Sequence, residues 1–227
     1  MPTCFVTGAA RGLGLEFARQ YAAAGWRVVA TYRRPNAVKT LSALSGDVRP
    51  YLLDVSDFAA IDRLARRLSN EAIDLLINNA GVYGPRVVPY DFVDYDLWEQ
   101  VLRVNTMAPL KIAAAFSKNV AHSQRRLIVS LTSSMGSIGG NTSGGAYIYR
   151  SSKAALNAVT RSLALDLRGK EITVVVVNPG WVRTDMGGRH GVLDADASVE
   201  AMRQLFERLG IEDTGLCFDV DGRQLPW

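Results

Sequence analysis

Cysteine and histidine are nearly missing from this 227-residue chain: it has only Cys4, Cys217, His122 and His190. Two distant thiols make no disulfide framework, and free thiols point to a reducing compartment, so a cytoplasmic protein is expected. The histidines have no partner at ligand spacing, so they read as solvated and no metal site is expected. Long apolar runs are absent too. None reaches the roughly 18 residues of a membrane span. The chain opens on a strand-like segment, Thr3 to Thr7, which does not read as a signal peptide. There is no low-complexity tract, Pro/Ser-rich linker or internal repeat. With 48% apolar and 21% charged residues the composition excludes a disordered or collagen-like chain. A single domain of this length buries about 70% of its unfolded surface and needs no staples.

Charge is present in both signs but unevenly placed. Residues 1–53 hold seven Lys/Arg against two Asp/Glu, whereas residues 190–227 hold three against eight. A basic first segment suits either nucleic acid or a phosphorylated cofactor. The basic residues are not interleaved with aromatics and match no nucleic-acid module, which favours the cofactor. Neither nucleic acid nor a membrane is expected as a partner.

Short apolar runs alternate with helical patterns along the whole chain. Strands are predicted at Thr3–Thr7, Arg27–Tyr32, Pro50–Leu53, Asp74–Asn78, Leu127–Leu131, Thr173–Asn178 and Gly215–Val220. Helices are predicted near 13–24, 57–70, 96–121, 149–168 and 196–209. Val174 to Val177 is apolar at every position, as in a strand covered on both faces. This order predicts parallel βαβ units: a single-domain α/β fold, a Rossmann-type doubly wound sheet of about seven strands with helices on both faces.

Directly after the first strand comes Thr7-Gly8-Ala9-Ala10-Arg11-Gly12-Leu13-Gly14, opening a helix. Glycines permit a tight turn there and let backbone N–H groups approach a pyrophosphate held at the positive helix N-terminus. The spacing is G-x-x-x-G-x-G. The second strand ends Tyr32-Arg33-Arg34 with no carboxylate to bind a ribose 2′-hydroxyl. Arg33, with Arg11 as a second clamp, can instead pair with a 2′-phosphate, so NADP(H) is the expected cofactor.

Tyr149 and Lys153 lie four apart on a predicted helix and share one face. Ser133-Ser134 ends the fifth strand, and Asn105 sits in the preceding helix. All would stand at the carboxyl ends of strands, where open α/β sheets bind ligands. With Asp54-Val55, Asn78-Asn79-Ala80-Gly81 and Asn178-Pro179-Gly180 followed by Thr184, the chain resembles the short-chain dehydrogenase/reductase family over essentially its whole length. Met135-Gly136-Ser137-Ile138, Asn141 to Gly145 and the Asp219-Val220-Asp221-Gly222 ending make it similar to the C-factor-like carbonyl reductases within that family.

The resemblance implies a single oxidoreductase domain, with a cofactor half at about 1–125 and a catalytic half at about 126–227. It implies Tyr149 as general acid for carbonyl reduction and Lys153 as ribose holder. The Lys153 ammonium and the cationic nicotinamide of the oxidised cofactor are together expected to lower the Tyr149 pKa from its usual value near 10. The resemblance implies Ser134 as hydrogen-bond donor to the substrate oxygen, with Ser133 and Ser137 as alternatives, and Asn105 as the anchor of a proton-relay water. The position 13 residues before the tyrosine, often serine in the family, is Gly136. It implies that Gly8, Arg11, Gly12, Leu13, Gly14 and Arg33 hold the phosphates and Asp54 and Val55 the adenine. Asn79, Ala80 and Gly81 would line the ribose–nicotinamide edge, and Pro179, Gly180, Val182 and Thr184 would cover the nicotinamide. Asn78 reads as a structural brace. Met135, Tyr147, Trp181 and Met186 are candidate pocket residues for a small carbonyl or alcohol substrate. A homodimer through the helices near 96–121 and 149–168 is expected, on the small runs Ala113–Ala115 and Ala154-Ala155. The rival reading is an NADP(H)-binding regulator on the same fold, which could dispense with the catalytic groups.

Overall fold

The computed structural model describes residues 1–86 and 88–227. Its centre is one eight-stranded sheet, with strands β1 Thr3–Val6, β2 Arg27–Tyr32, β3 Val48–Leu52, β4 Leu75–Asn78, β5 Leu127–Leu131, β6 Thr173–Asn178, β7 Cys217–Asp219 and β8 Gln224–Leu225. Their order is β3-β2-β1-β4-β5-β6-β7-β8, with every pair parallel except β7–β8. The expected doubly wound sheet is therefore present with one strand more. The antiparallel β8, two residues long, carries too little pattern for sequence reading to find.

Seven α-helices flank the sheet: α1 Gly12–Ala23, α2 Val38–Ser42, α3 Phe58–Arg67, α4 Tyr95–Leu102, α5 Ala108–Ala121, α6 Tyr147–Leu167 and α7 Ala195–Arg208. Strand side chains alternate between two cores because the pleat has period two. Cys4 and Val6 face a cluster with Phe17, Tyr21, Met202 and Phe206 of α1 and α7. Phe5 between them faces Ile112 and Phe116 of α5, its ring centre 4.6 Å from that of Phe116. Both cysteines are buried and free, and burial pushes the Cys217 thiol up to about 11. The helix expected over 96–121 is in fact two helices joined by a π-helical turn, Arg103–Met107. No helix of the described residues is long and apolar enough to cross a membrane.

This topology positions a site by itself. Chain order reverses between β1 and β4, and the carboxyl ends of both strands meet there, as ligand crevices of open α/β sheets require. Thr7 ties the two together, its Oγ1 accepting hydrogen bonds from the backbone of Asn79 (3.0 Å) and Ala80 (2.9 Å).

Candidate active site

The glycine turn is shaped by contacts that a side chain would break. Gly8 has φ +66°, and a Cβ on Gly14 would lie 2.3 Å from the Gly8 carbonyl oxygen. Asn79 Nδ2 donates to the carbonyls of Thr7 (2.7 Å) and Gly8 (3.2 Å), so Asn79 braces this turn. The turn leads into α1, which has neither a side-chain cap nor an acidic residue in its first turn. Its orphan N–H groups and positive dipole end are thus open to an anion. Two hydrogen bonds from Gly8 and Ala9 to Thr31 dock the turn on the end of β2. Arg33 lies exposed just beyond that end. Arg11, the other expected phosphate clamp, pairs at 2.7 Å with Asp185, both side chains exposed. Thr184 sits beside Gly12, its Cγ2 3.5 Å from where a Cβ on Gly12 would stand. One Asp54 oxygen accepts from the backbone and hydroxyl of Ser56, at 2.9 and 2.7 Å.

Across the crevice, α6 presents Tyr149 and Lys153, both buried. The Lys153 Nζ lies 5.8 Å from the centre of the Tyr149 ring and donates to the Leu131 carbonyl at 2.7 Å. Burial lowers its pKa to about 8. Burial likewise dominates at Tyr149, raising the phenol to about 12 against a hydrogen bond from Ser133 that lowers it. In the protein alone, desolvation of the phenolate outweighs the favourable effects of its neighbours, and the lowering expected from Lys153 together with the oxidised nicotinamide concerns the cofactor-bound site.

Ser133, and not Ser134, is the serine at the phenol. Ser133 is still extended (φ −160°, ψ 149°) and prolongs the pleat of β5, whereas Ser134 begins a short 3-10 turn and is exposed. Ser137 Oγ accepts from the Gly140 N–H at 3.1 Å, as Ser133 Oγ accepts from the Met135 N–H at 3.2 Å. Gly136 is glycine for a packing reason, since a Cβ there would come within 3.0 Å of the Lys153 backbone. Asn105 is buried within the π-helical turn. Its Oδ1 accepts from the Val82 N–H at 2.9 Å, and its Nδ2 donates to the Val82 carbonyl and Ser152 Oγ at 2.8 and 3.0 Å. A single π turn inside a longer helical run is a recurrent mark of functional sites. Asn78 donates to the Pro109 carbonyl and Ser130 Oγ, acting as a brace between elements.

Among the candidate pocket residues, Met135 accepts a hydrogen bond at 3.5 Å from the hydroxyl of Tyr83, which stacks on Tyr149 with ring centres 4.2 Å apart. Trp181 is half exposed, its Nε1 donating to Gly187. Met186 lies on the same loop, and its carbonyl accepts from Arg86. Tyr147 is exposed and lines a shallow cleft with Pro85, Val93 and Ile148. Tyr83 and Arg86 went unread in the sequence. The one available signal was an aromatic two residues after the Asn-Asn-Ala-Gly run, at the carboxyl end of a strand.

A family model described as short chain dehydrogenase matches residues 2–191. The chain belongs to the short-chain dehydrogenase family. Among curated members, C-signal of Myxococcus xanthus is 42% identical over 155 residues, covering 68% of this chain and 93% of its own. Among solved structures, the carbonyl reductase Sniffer of D. melanogaster superposes with a TM-score of 0.92 at 33% identity, both chains covered completely. The NADPH-bound carbonyl reductase from chicken fatty liver gives 0.91 at 31% identity, with 100% of this chain and 99% of that chain covered. Membership in the short-chain dehydrogenases makes the protein an oxidoreductase, a dehydrogenase or reductase, and accounts for the doubly wound fold.

Proposed function

We propose that this short-chain dehydrogenase is an NADP(H)-dependent reductase of a small carbonyl compound, with Tyr149 as the acid that protonates the carbonyl oxygen. The observation that carries this reading is the convergence of Tyr149, Ser133 and Lys153 on the sheet end that also holds a glycine turn leading into the uncapped start of α1. Gly8, Gly12, Leu13 and Gly14 would hold the pyrophosphate through backbone N–H groups at the start of α1. Asp54 and Val55 would bound the adenine, Asn79 to Gly81 the ribose edge, and Pro179, Gly180, Val182 and Thr184 the nicotinamide face. The nicotinamide supplies the hydride that reaches the carbonyl carbon.

The remaining chemistry belongs to this chain. Ser133 donates a hydrogen bond to the substrate oxygen and stabilises the charge growing there. Tyr149 gives up its proton to that oxygen; a phenol held near 12 is a weak acid alone, so a cationic partner must arrive before it functions well. Lys153 holds ribose hydroxyls and contributes its positive charge, and Asn105 fixes the backbone around it. We place the cofactor half at about 1–125 and the catalytic half at about 126–227, in the cytoplasm, where two free buried thiols are at home. The complete set of proton-handling groups favours an enzyme over a purely regulatory nucleotide binder.

NADPH and NADH oxidation by the wild type and Arg33→Ala, across a panel of aldehydes and ketones, tests this reading. Arg33→Ala should weaken NADPH by about ten- to a hundredfold, the value of charge-assisted hydrogen bonds to a phosphate, while NADH changes little. Equal weakening of both would refute the 2′-phosphate assignment. No oxidation with any carbonyl despite tight NADPH binding would favour the regulator.

We also propose a homodimer through α5 and α6. Leu110 and Leu165 are exposed on these helices, next to Ala114 and Ala158 on the surface, whereas Ala113 is turned into the core. Sedimentation at micromolar concentration should show a species about twice the 24.7 kDa chain mass; a monomer there would refute it.

A further inference from the structure

Arg86 occupies an unusual place for a surface arginine. It leaves the loop after β4 and lays its guanidinium over the Tyr83 ring, 5.1 Å from the ring centre. Tyr83 in turn lies nearly parallel to Tyr149, at 18° and 4.2 Å. At its other end Arg86 donates one N–H to the Met186 carbonyl at 2.6 Å, on the loop that follows β6. The same nitrogen is 4.0 Å from where a Cβ on Gly188 would sit, so Gly188 leaves its flank open. The guanidinium is thus held at two points, on the Tyr83 ring and on the Met186 carbonyl, with the Tyr83 ring between it and the ring of the proton donor.

Its charge has no counter-ion. Among the described residues no carboxylate pairs with Arg86; other arginines, Arg33 and Arg189 among them, share that lack, but Arg86 combines it with a guanidinium anchored on the Tyr83 ring and the Met186 carbonyl. Asp185, the carboxylate next to Met186 in sequence, is taken by Arg11. The next charge on that loop, Arg189, is also basic. A guanidinium carries five N–H donors in a planar fork, and the Met186 bond uses only one of its two terminal nitrogens. An anchored, unneutralised fork of this kind matches a carboxylate.

Resting on the reading of Tyr149 as proton donor, we propose that Arg86 binds an anionic group of the substrate, which makes the preferred substrate an oxo acid. The spacing further selects among oxo acids. A tyrosine ring separates the guanidinium from Tyr149, so carbonyl and carboxylate must be several bonds apart. This spacing favours a γ- or δ-oxo acid over an α-oxo acid.

The test compares levulinate and its one-carbon-longer homologue with their methyl esters, and with pyruvate, in wild type and Arg86→Gln. The wild type should use the longer oxo acids at least tenfold better than their esters and pyruvate worst, judged by kcat/KM. Arg86→Gln should lose about ten- to a hundredfold on the acids, mainly through KM, and stay within about twofold on the esters. Equal loss on acids and esters would make Arg86 a strap that merely holds the Met186 loop, and would overturn the proposal. So would a wild type indifferent to the ester. A calorimetric titration of levulinate into the NADPH complex of Tyr149→Phe separates the two readings. Binding weakened by adding Arg86→Gln supports the anion site even where turnover is not seen; binding unaffected by it refutes the site. Reduction of esters alone would leave the reductase reading intact while the anion site falls.

Discussion

Tyr149→Phe should cut carbonyl reduction by about 10²- to 10⁴-fold, the usual worth of a positioned proton donor. The ring, its stacking on Tyr83 and its place on α6 survive the change, so NADPH affinity should move little. What disappears is the hydroxyl beside Ser133, the neighbour that lowers its pKa. Ser133→Ala should therefore also slow turnover, by about 10²-fold or more if the serine stabilises the developing oxyanion. Ser134→Ala, one residue along and exposed, is the control that should stay near wild type. Steady-state kinetics on the three variants decides the assignment. A slow Ser134→Ala with a normal Ser133→Ala would reverse it, and a Tyr149→Phe enzyme near wild type would remove the proton donor altogether.

Lys153→Met should have the next largest effect, and it can be read in two independent ways. Turnover and NADPH affinity should both fall, because the ammonium and its ribose contacts are gone. Stability should change in the opposite sense. The Lys153 pKa lies at about 8 in the fold and near its ordinary 10.5 in the unfolded chain. Between those values the unfolded chain binds the extra proton, so raising the pH favours the folded state. The wild type should gain up to about 3 kcal/mol from this group across that window, at about 1.4 kcal/mol per unit. Lys153→Met lacks the gain and should be the more stable protein below pH 8, where the wild type bears a buried charge. Tyr149 acts with the opposite sign: its raised pKa keeps the phenol protonated in the fold, so its contribution is lost as pH rises from 10 through about 12. Urea titrations of both proteins at several pH values, taken as a difference, isolate Lys153. A flat difference curve would show that its pKa is unshifted.

The parts legible in the sequence were those written in periodicity and in glycine. Phe5 and its neighbours Cys4 and Val6 are all apolar because each face of β1 is covered, and the run announces a buried strand. Gly8 and Gly14 announce the turn because no other residue fits. The break between α4 and α5 was invisible, since a π turn keeps the chain helical and shifts the apolar pattern only slightly. Ser133 stands in the sequence only as an alternative to Ser134, because counting residues back from Tyr149 cannot say where β5 stops being extended and the side-chain alternation ends. The raised Tyr149 pKa of the chain alone is not legible in the sequence, because motifs name the charges near a group and leave out how thoroughly α6 and Tyr83 strip it of water.

The two rims of the sheet carry a separate consequence. An open β edge is a template on which a second chain can pair, and from there aggregate. Here the β3 rim contains Pro50, which has no N–H to offer, and the β7 rim is capped by the two residues of β8, reversed in direction. Neither rim offers a long run of donors and acceptors to a stranger. Self-association through the sheet is thereby discouraged at both ends, and the helical faces are left as the ground on which copies of this chain can meet.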